Sequence, residues 1–170
     1  VNLYKILTYA WQSRKSGNTI LTEDGNFPTD LYVAQGLNRN HPDPPEVKVC
    51  ASRDELIDSF NTDTAIVYLS HADYRSGECW NMADINLRAH AIDALTVWDL
   101  SHSTGAIPVD LTGDDADFAV GCGYKYLSAG PGGSAYLWVN PRHAENGWPT
   151  ICGWMGHQDV FAFATEYEPL

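Results

Sequence analysis

Positive charge is scarce in this sequence: 10 Lys and Arg stand against 22 Asp and Glu, a formal charge of −12 over 170 residues. That balance excludes a basic patch for nucleic acid or an anionic membrane surface. Cysteine is sparse as well. Cys50, Cys79, Cys122 and Cys152 lie far apart, with no C-x-x-C pair and no zinc spacing, and read as reduced thiols. No metal site is expected. Long apolar runs are missing, so no membrane span is expected, and the first residues are not a basic segment leading into an apolar one. Gly130-Pro131-Gly132-Gly133 lacks the Lys-Ser/Thr ending of a phosphate-binding loop and reads as a tight turn. No repeat, low-complexity tract or linker divides the chain. The length fits a single domain, and the four reduced thiols suit a cytoplasmic protein.

What is present is layered. Hydrophobic residues make up 44% of the chain, enough for a real core. Helical and strand patterns alternate, the mark of an α/β fold with a mostly parallel sheet flanked by helices. Helices are expected over 1–14, from Thr29 (as a cap, after Pro28) to Leu37, from the capping box Ser52-Arg53-Asp54-Glu55 to Phe60, and over 81–94. Between Asn38 and Pro45 a proline-rich loop is expected. Strands are expected over 19–22, 47–50, 66–69, 95–98, 118–121 and 135–139. Those ending near Ser70, Asp99 and Gly121 carry polar or glycine groups just beyond the strand, where open α/β sheets bind ligands.

The most informative pair is Asp99 and Lys125. Asp99 closes an apolar strand, and Lys125 follows the next strand through Gly121-Cys122-Gly123-Tyr124. A carboxylate and an amine at neighbouring strand ends suit pyridoxal 5'-phosphate (PLP). The amine supplies the Schiff-base link, and the carboxylate keeps the pyridine nitrogen protonated so that the ring acts as an electron sink. An ordinary ion pair would use the same residue types. The apolar strand before Asp99, His102 three residues on and the glycines around Lys125 favour the cofactor.

The runs Trp98-Asp99-Leu100-Ser101-His102-Ser103-Thr104-Gly105 and Gly121-Cys122-Gly123-Tyr124-Lys125-Tyr126-Leu127 resemble kynureninase, a fold-type-I PLP enzyme. So do Asn26-Phe27-Pro28-Thr29-Asp30, Leu69-Ser70-His71 with Tyr74-Arg75-Ser76-Gly77, and Gly153-Trp154-Met155-Gly156-His157. Tyr124 before Lys125, where related desulfurases have His, narrows the resemblance within the fold type. It implies a homodimeric hydrolase of L-kynurenine and 3-hydroxykynurenine, releasing anthranilate and L-alanine in tryptophan catabolism and NAD biosynthesis. It also implies that residues 1–170 are the central part of the large domain. In the family, a Leu-Thr phosphate contact would precede Val1, and an Asn contact and a small domain would follow Leu170.

The resemblance assigns roles residue by residue. Lys125, Tyr124 and Asp99 are the catalytic candidates. Lys125, Asp99, His102, Tyr124, Ser70, Phe27, Thr29, Asp30 and Trp154 are the cofactor candidates. Taken alone, several have plainer readings. Phe27, Tyr124 and Trp154 could be packed rings, Thr29 and Asp30 helix caps, Ser70 a turn residue and His102 a structural histidine. Other readings of the whole chain are a cysteine desulfurase or class-V aminotransferase, an inactive PLP-binding piece, and a non-enzymatic interaction domain.

Overall fold

The computed structural model describes residues 1–144 and 148–169. Helices and strands alternate up to β4, and two further strands follow: α1 (Asn2–Ser13), β1 (Thr19–Glu23), α2 (Pro28–Asn40), β2 (Glu46–Cys50), α3 (Arg53–Asp58), β3 (Thr64–Ser70), α4 (Met82–His90), β4 (Leu95–Asp99), β5 (Phe118–Cys122) and β6 (Ala135–Val139). They build one sheet in the order β2-β1-β3-β4-β5-β6. All pairings are parallel except β5 with β6. Sequential strands run outward from β1 in one direction and from β3 in the other. The order therefore reverses between β1 and β3, and the carboxyl ends there flank a crevice.

Strand alternation splits the core in two. Ile20, Ile66, Tyr68, Val97, Phe118 and Val120 face α1 and α2, meeting Leu3, Ile6, Leu7, Ala10, Trp11, Ala34 and Leu37. Leu21, Val67, Leu69, Trp98 and Ala119 face α3 and α4, meeting Leu56, Met82, Ile85 and Ala89. A sheet covered on both faces explains why every β3 residue is buried. Gly17 makes the turn into β1 at φ +78°, where a β-carbon would lie 2.6 Å from the Asp63 carbonyl.

Helix ends differ from the sequence expectation in α2, α3 and α4. α2 starts at Pro28, with Phe27 at the capping position, so Thr29 is an exposed first-turn residue and not the cap. Proline suits that first position because its missing N–H needs no partner there. α2 also runs on to Asn40, since nothing stops it before Pro42; the His41 N–H still reaches the Leu37 carbonyl. α4 is shorter than expected. It ends at His90, and the chain leaves through Asp93 at φ +60°, with the Ala94 N–H bonded to the Ala89 carbonyl. That is a left-handed helix stop with Asp where glycine is usual. Ile92 still packs on the same core. The capping box forms: Ser52 Oγ accepts the Glu55 N–H at 3.1 Å, and Glu55 Oε2 accepts the Ala51 N–H at 2.8 Å. α3 stops at Asp58, before Phe60.

Candidate active site

Three strands end side by side. Ser70 pairs with Asp99 in the ladder, and Asp99 with Val120. Beyond β4 the chain folds at once onto its own carboxylate: Asp99 Oδ1 accepts the Ser101 N–H at 2.9 Å and its hydroxyl at 2.6 Å. This turn delivers His102, whose Nε2 lies 2.9 Å from Lys125 Nζ. Gly105 lies so close to the Tyr126 carbonyl that a β-carbon would come within 2.6 Å, which locks the loop after β4 against the loop carrying Lys125.

The opposite wall is tied down by Asn26. Its Oδ1 accepts the Ser70 N–H at 2.8 Å and its Nδ2 donates to Thr22 Oγ1 at 2.8 Å. Thr22 Oγ1 in turn donates to the Tyr68 carbonyl at 2.7 Å. The clamp fixes the start of α2 against β3. Phe27 is thereby set with its ring centroid 5.7 Å from Lys125 Nζ. Tyr74 stands edge-on to Phe27 at 5.3 Å and tilts over His102 at 6.1 Å. Its hairpin is pinned by Asp73, which accepts from the Arg75 and Ser76 N–H groups and from the Arg75 guanidinium. The Lys125 amine thus has the His102 imidazole and the Phe27 ring beside it.

Carboxylates gather beneath. Asp30, in the first turn of α2, faces the side of the sheet that bears Tyr68, Ser70 and Asp99. Burial first, and the Asp99 carboxylate second, push Asp30 up to about 7, against the pull of the Tyr68 hydroxyl and the Lys125 ammonium. Burial and the same two carboxylates raise Tyr68. Burial, then the Lys125 ammonium, lower His102, so that a neutral imidazole accepts from the amine. Among the described residues, Asp30 Oδ2, Tyr68 Oη, Ser70 Oγ and His71 Nδ1 are buried without a hydrogen-bond partner. A buried group left so costs about 1–3 kcal/mol. Three of these four surround Asp99 on one side of the sheet. A run of unmet polar atoms at strand ends is what a polar ligand would satisfy.

The structure therefore brings together Lys125, His102, Asp99, Asp30, Ser70 and Phe27. Tyr124 sits next to Lys125, half-exposed, its ring 5.7 Å from Nζ, its hydroxyl raised chiefly by Cys122. Thr29, next to Asp30 in the first turn of α2, is exposed. Trp154 is not part of this cluster. It opens a one-turn 3-10 helix (Trp154–Gly156) and lies in an exposed aromatic group with Phe161 and Phe163. Sequence reasoning passed over Tyr68 and Tyr136. The Tyr136 hydroxyl donates to Thr104 Oγ1 at 2.7 Å and lies where a Gly121 β-carbon would stand. Two-residue alternation along β3 puts Tyr68 on Ser70's face, a signal available but unused. Among the described residues no group of three or more His, Cys, Asp or Glu is arranged to hold a metal ion, and no helix is long and apolar enough to cross a membrane.

Residues 8–166 match the model of the aminotransferase class-V family. The kynureninase of Deinococcus radiodurans is 48% identical over 170 residues, covering 99% of this chain and 40% of that protein. The kynureninase of Pseudomonas fluorescens is 40% identical over 173 residues, covering 99% and 42%. The chain thus spans about two-fifths of the length of these relatives. Among solved structures, a C-DES variant with glycine covalently linked to its PLP cofactor superposes with a TM-score of 0.78 at 17% identity, covering 99% of this chain and 46% of that one. The cysteine desulfurase CsdA of Escherichia coli gives 0.66 at 20% identity, over 85% and 37%. At such identities these two likenesses show the fold alone.

Proposed function

Because the chain belongs to the aminotransferase class-V family, we propose that the Lys125 cluster holds pyridoxal 5'-phosphate and hydrolyses L-kynurenine, and its 3-hydroxy form, with water to give anthranilate (or its hydroxy form) and L-alanine. One observation carries the reading: a lysine amine held 2.9 Å from a neutral imidazole and beside an aromatic ring, near the buried Asp99 carboxylate and the half-buried Asp30. The residues fit the cofactor's chemistry. Lys125 would bond its aldehyde carbon, Asp99 would pair with the pyridine nitrogen, Phe27 and His102 would bound the ring, and Ser70 Oγ, unmet in the protein, would take a polar group. When bound, PLP supplies an electron sink for charge developed at the substrate α-carbon.

The chain's own groups then handle protons and position. Lys125 Nζ, released from its covalent role, carries the α-proton. His102 accepts from that amine and keeps it aimed at the pocket. Asp99, held by Ser101, fixes the negative charge that the sink requires. Tyr124, half-exposed beside Lys125, is suited to relay a proton for hydration of the γ-carbonyl and for release of alanine. Thr29 belongs to the same first turn as Asp30. Trp154 is assigned to the phosphate end or to a contact with a second copy of the chain. On this reading the chain is the central part of a PLP-binding large domain, works as a homodimer in the cytoplasm, and serves tryptophan catabolism on the way to NAD.

The decisive experiment adds PLP, reduces with borohydride and maps the pyridoxyl-bearing peptide. The label is expected on Lys125, and a label on Lys5, Lys15 or Lys48 would overturn the assignment. Anthranilate fluorescence with kynurenine, against sulfide release with cysteine, then separates this activity from a desulfurase.

A further inference from the structure

Strand β6 runs against the rest of the sheet, so its first residues, not its last, stand at the edge where Ser70 and Asp99 end. Tyr136 is one of them, paired with Gly121. Its ring lies across the Gly121 backbone, where any β-carbon would overlap the phenol oxygen. The hydroxyl reaches past β5 to the loop after β4 and donates to Thr104 Oγ1 at 2.7 Å. Thr104 lies two residues beyond His102 in a run of tight turns. The Ser103 and Thr104 N–H groups both bond the Leu100 carbonyl, and those of Ala106 and Ile107 bond the Ser103 carbonyl. A chain wound this tightly passes a displacement at Thr104 on to His102. The Lys125 loop is held separately: the Gly123 N–H bonds the Ser134 carbonyl, and the Ala129 N–H the Gly123 carbonyl, at 2.9 Å each. The 2.9 Å contact between His102 and Lys125 therefore joins two loops with different anchors.

We propose that Tyr136 is a positioning residue: by holding Thr104 it fixes the turn that carries His102 and so keeps the imidazole against the Lys125 amine. Only its purpose, an amine kept on aim, rests on the functional reading above. Gly121 belongs to the same brace, because a side chain there would expel the Tyr136 ring. The groups facing His102 are Lys125 from the loop after β5, Asp99 from the end of β4, and Asp73 and the Tyr74 ring from the hairpin after β3. Burial and the Lys125 ammonium disfavour the protonated imidazole, while the two carboxylates favour it. Releasing the turn relieves the first two, so His102 should take up its proton at higher pH.

The test uses the chain without cofactor. Ring nitrogens of labelled histidines are titrated by NMR, with His102 identified by His102→Gln. Tyr136→Phe should raise the His102 midpoint by about 0.3 pH unit or more and leave those of His41 and His157 where they were. Thr104→Val should do the same, and Tyr136→Phe in that background should add nothing, since both break one bond. Thr104→Ser keeps the acceptor and should keep the unmutated midpoint. A tyrosine that only packs would lower the melting temperature without moving His102. An unmoved His102 midpoint in folded Tyr136→Phe or Thr104→Val, or shifts that add in the double variant, overturns the proposal. With PLP added, Tyr136→Phe should also displace the pH profile of cofactor absorbance. A chain that takes up no PLP counts against the functional reading, while the cofactor-free titration still decides the brace.

Discussion

The two ends of the sheet each bury a carboxylate, and they treat it in opposite ways. At the amino-terminal edge, Asp117 sits just before β5, 1% exposed. It accepts from His90 at 2.8 Å, His143 and Arg142 at 2.6 Å each, and the Thr96 N–H at 2.8 Å. Burial alone would raise it, yet these donors hold its carboxyl far below the usual range. At the carboxyl edge, Asp30 has an oxygen with no donor and is pushed up to about 7. One end is completed by the protein and the other is left unfinished. A saturated buried acid stiffens a fold, whereas an unsaturated one near a lysine and a second carboxylate is equipped to exchange protons.

This contrast can be broken by experiment. The largest effect is expected from Lys125→Ala, which should abolish borohydride-stable labelling by PLP without altering the melting temperature; retained labelling would remove the carboxyl edge from the chemistry. Next, Asp99→Asn, measured in an enzyme of the relatives' full length, should lower turnover by about a thousandfold or more. Each lost unit of pyridine pKa is worth ~1.4 kcal/mol, and several are at stake in the transition state. Near-normal turnover would refute its role.

At the other edge the loss should be of stability instead. Asp117→Ala strips a buried anion from two histidines and an arginine, and a cost of about 3 kcal/mol is expected, read from denaturant midpoints. A change in PLP affinity with little loss of stability would invert the comparison. The smallest effect is in pH dependence. Asp30 binds its proton more tightly folded than unfolded, so its contribution is complete below the ordinary value of 3.8 and is lost as the pH rises to about 7. Asp117 is the reverse: its contribution is present above 3.8 and fades as the pH falls further. Asp30→Asn should therefore flatten the decline in melting temperature between about pH 4 and pH 7, and Asp117→Asn the loss on the acid side. Identical slopes in both variants would erase the distinction.

The sequence disclosed most of this frame, because alternation and end signals act locally. Ser52 and Glu55 announced α3, and the apolar run into Asp99 announced β4. The antiparallel return of β6 and the helix stop at Asp93 were not legible, since both depend on what the segment later packs against. Lys125, Asp99 and His102 were readable because glycines and strand ends surround them. Tyr68 was passed over although alternation along β3 puts it on Ser70's face, because an aromatic inside a strand reads as core; its buried, unmet hydroxyl is visible only in the fold. Trp154 carried a strong motif, yet within this chain it joins an aromatic surface group apart from Lys125.

The Asn26 clamp has a kinetic consequence. Its partners, Thr22 and the end of β3 near residues 68–70, are separated by the whole of α2, β2 and α3. Closing such a loop is slow compared with forming any helix along it, because the chain entropy is lost before the contact is made. The wall that frames Lys125 can therefore assemble only after β1 and β3 have met at the centre of the sheet. Pocket formation becomes a late event in folding. A dye or cofactor that reads this pocket should report refolding after far-ultraviolet ellipticity has already recovered.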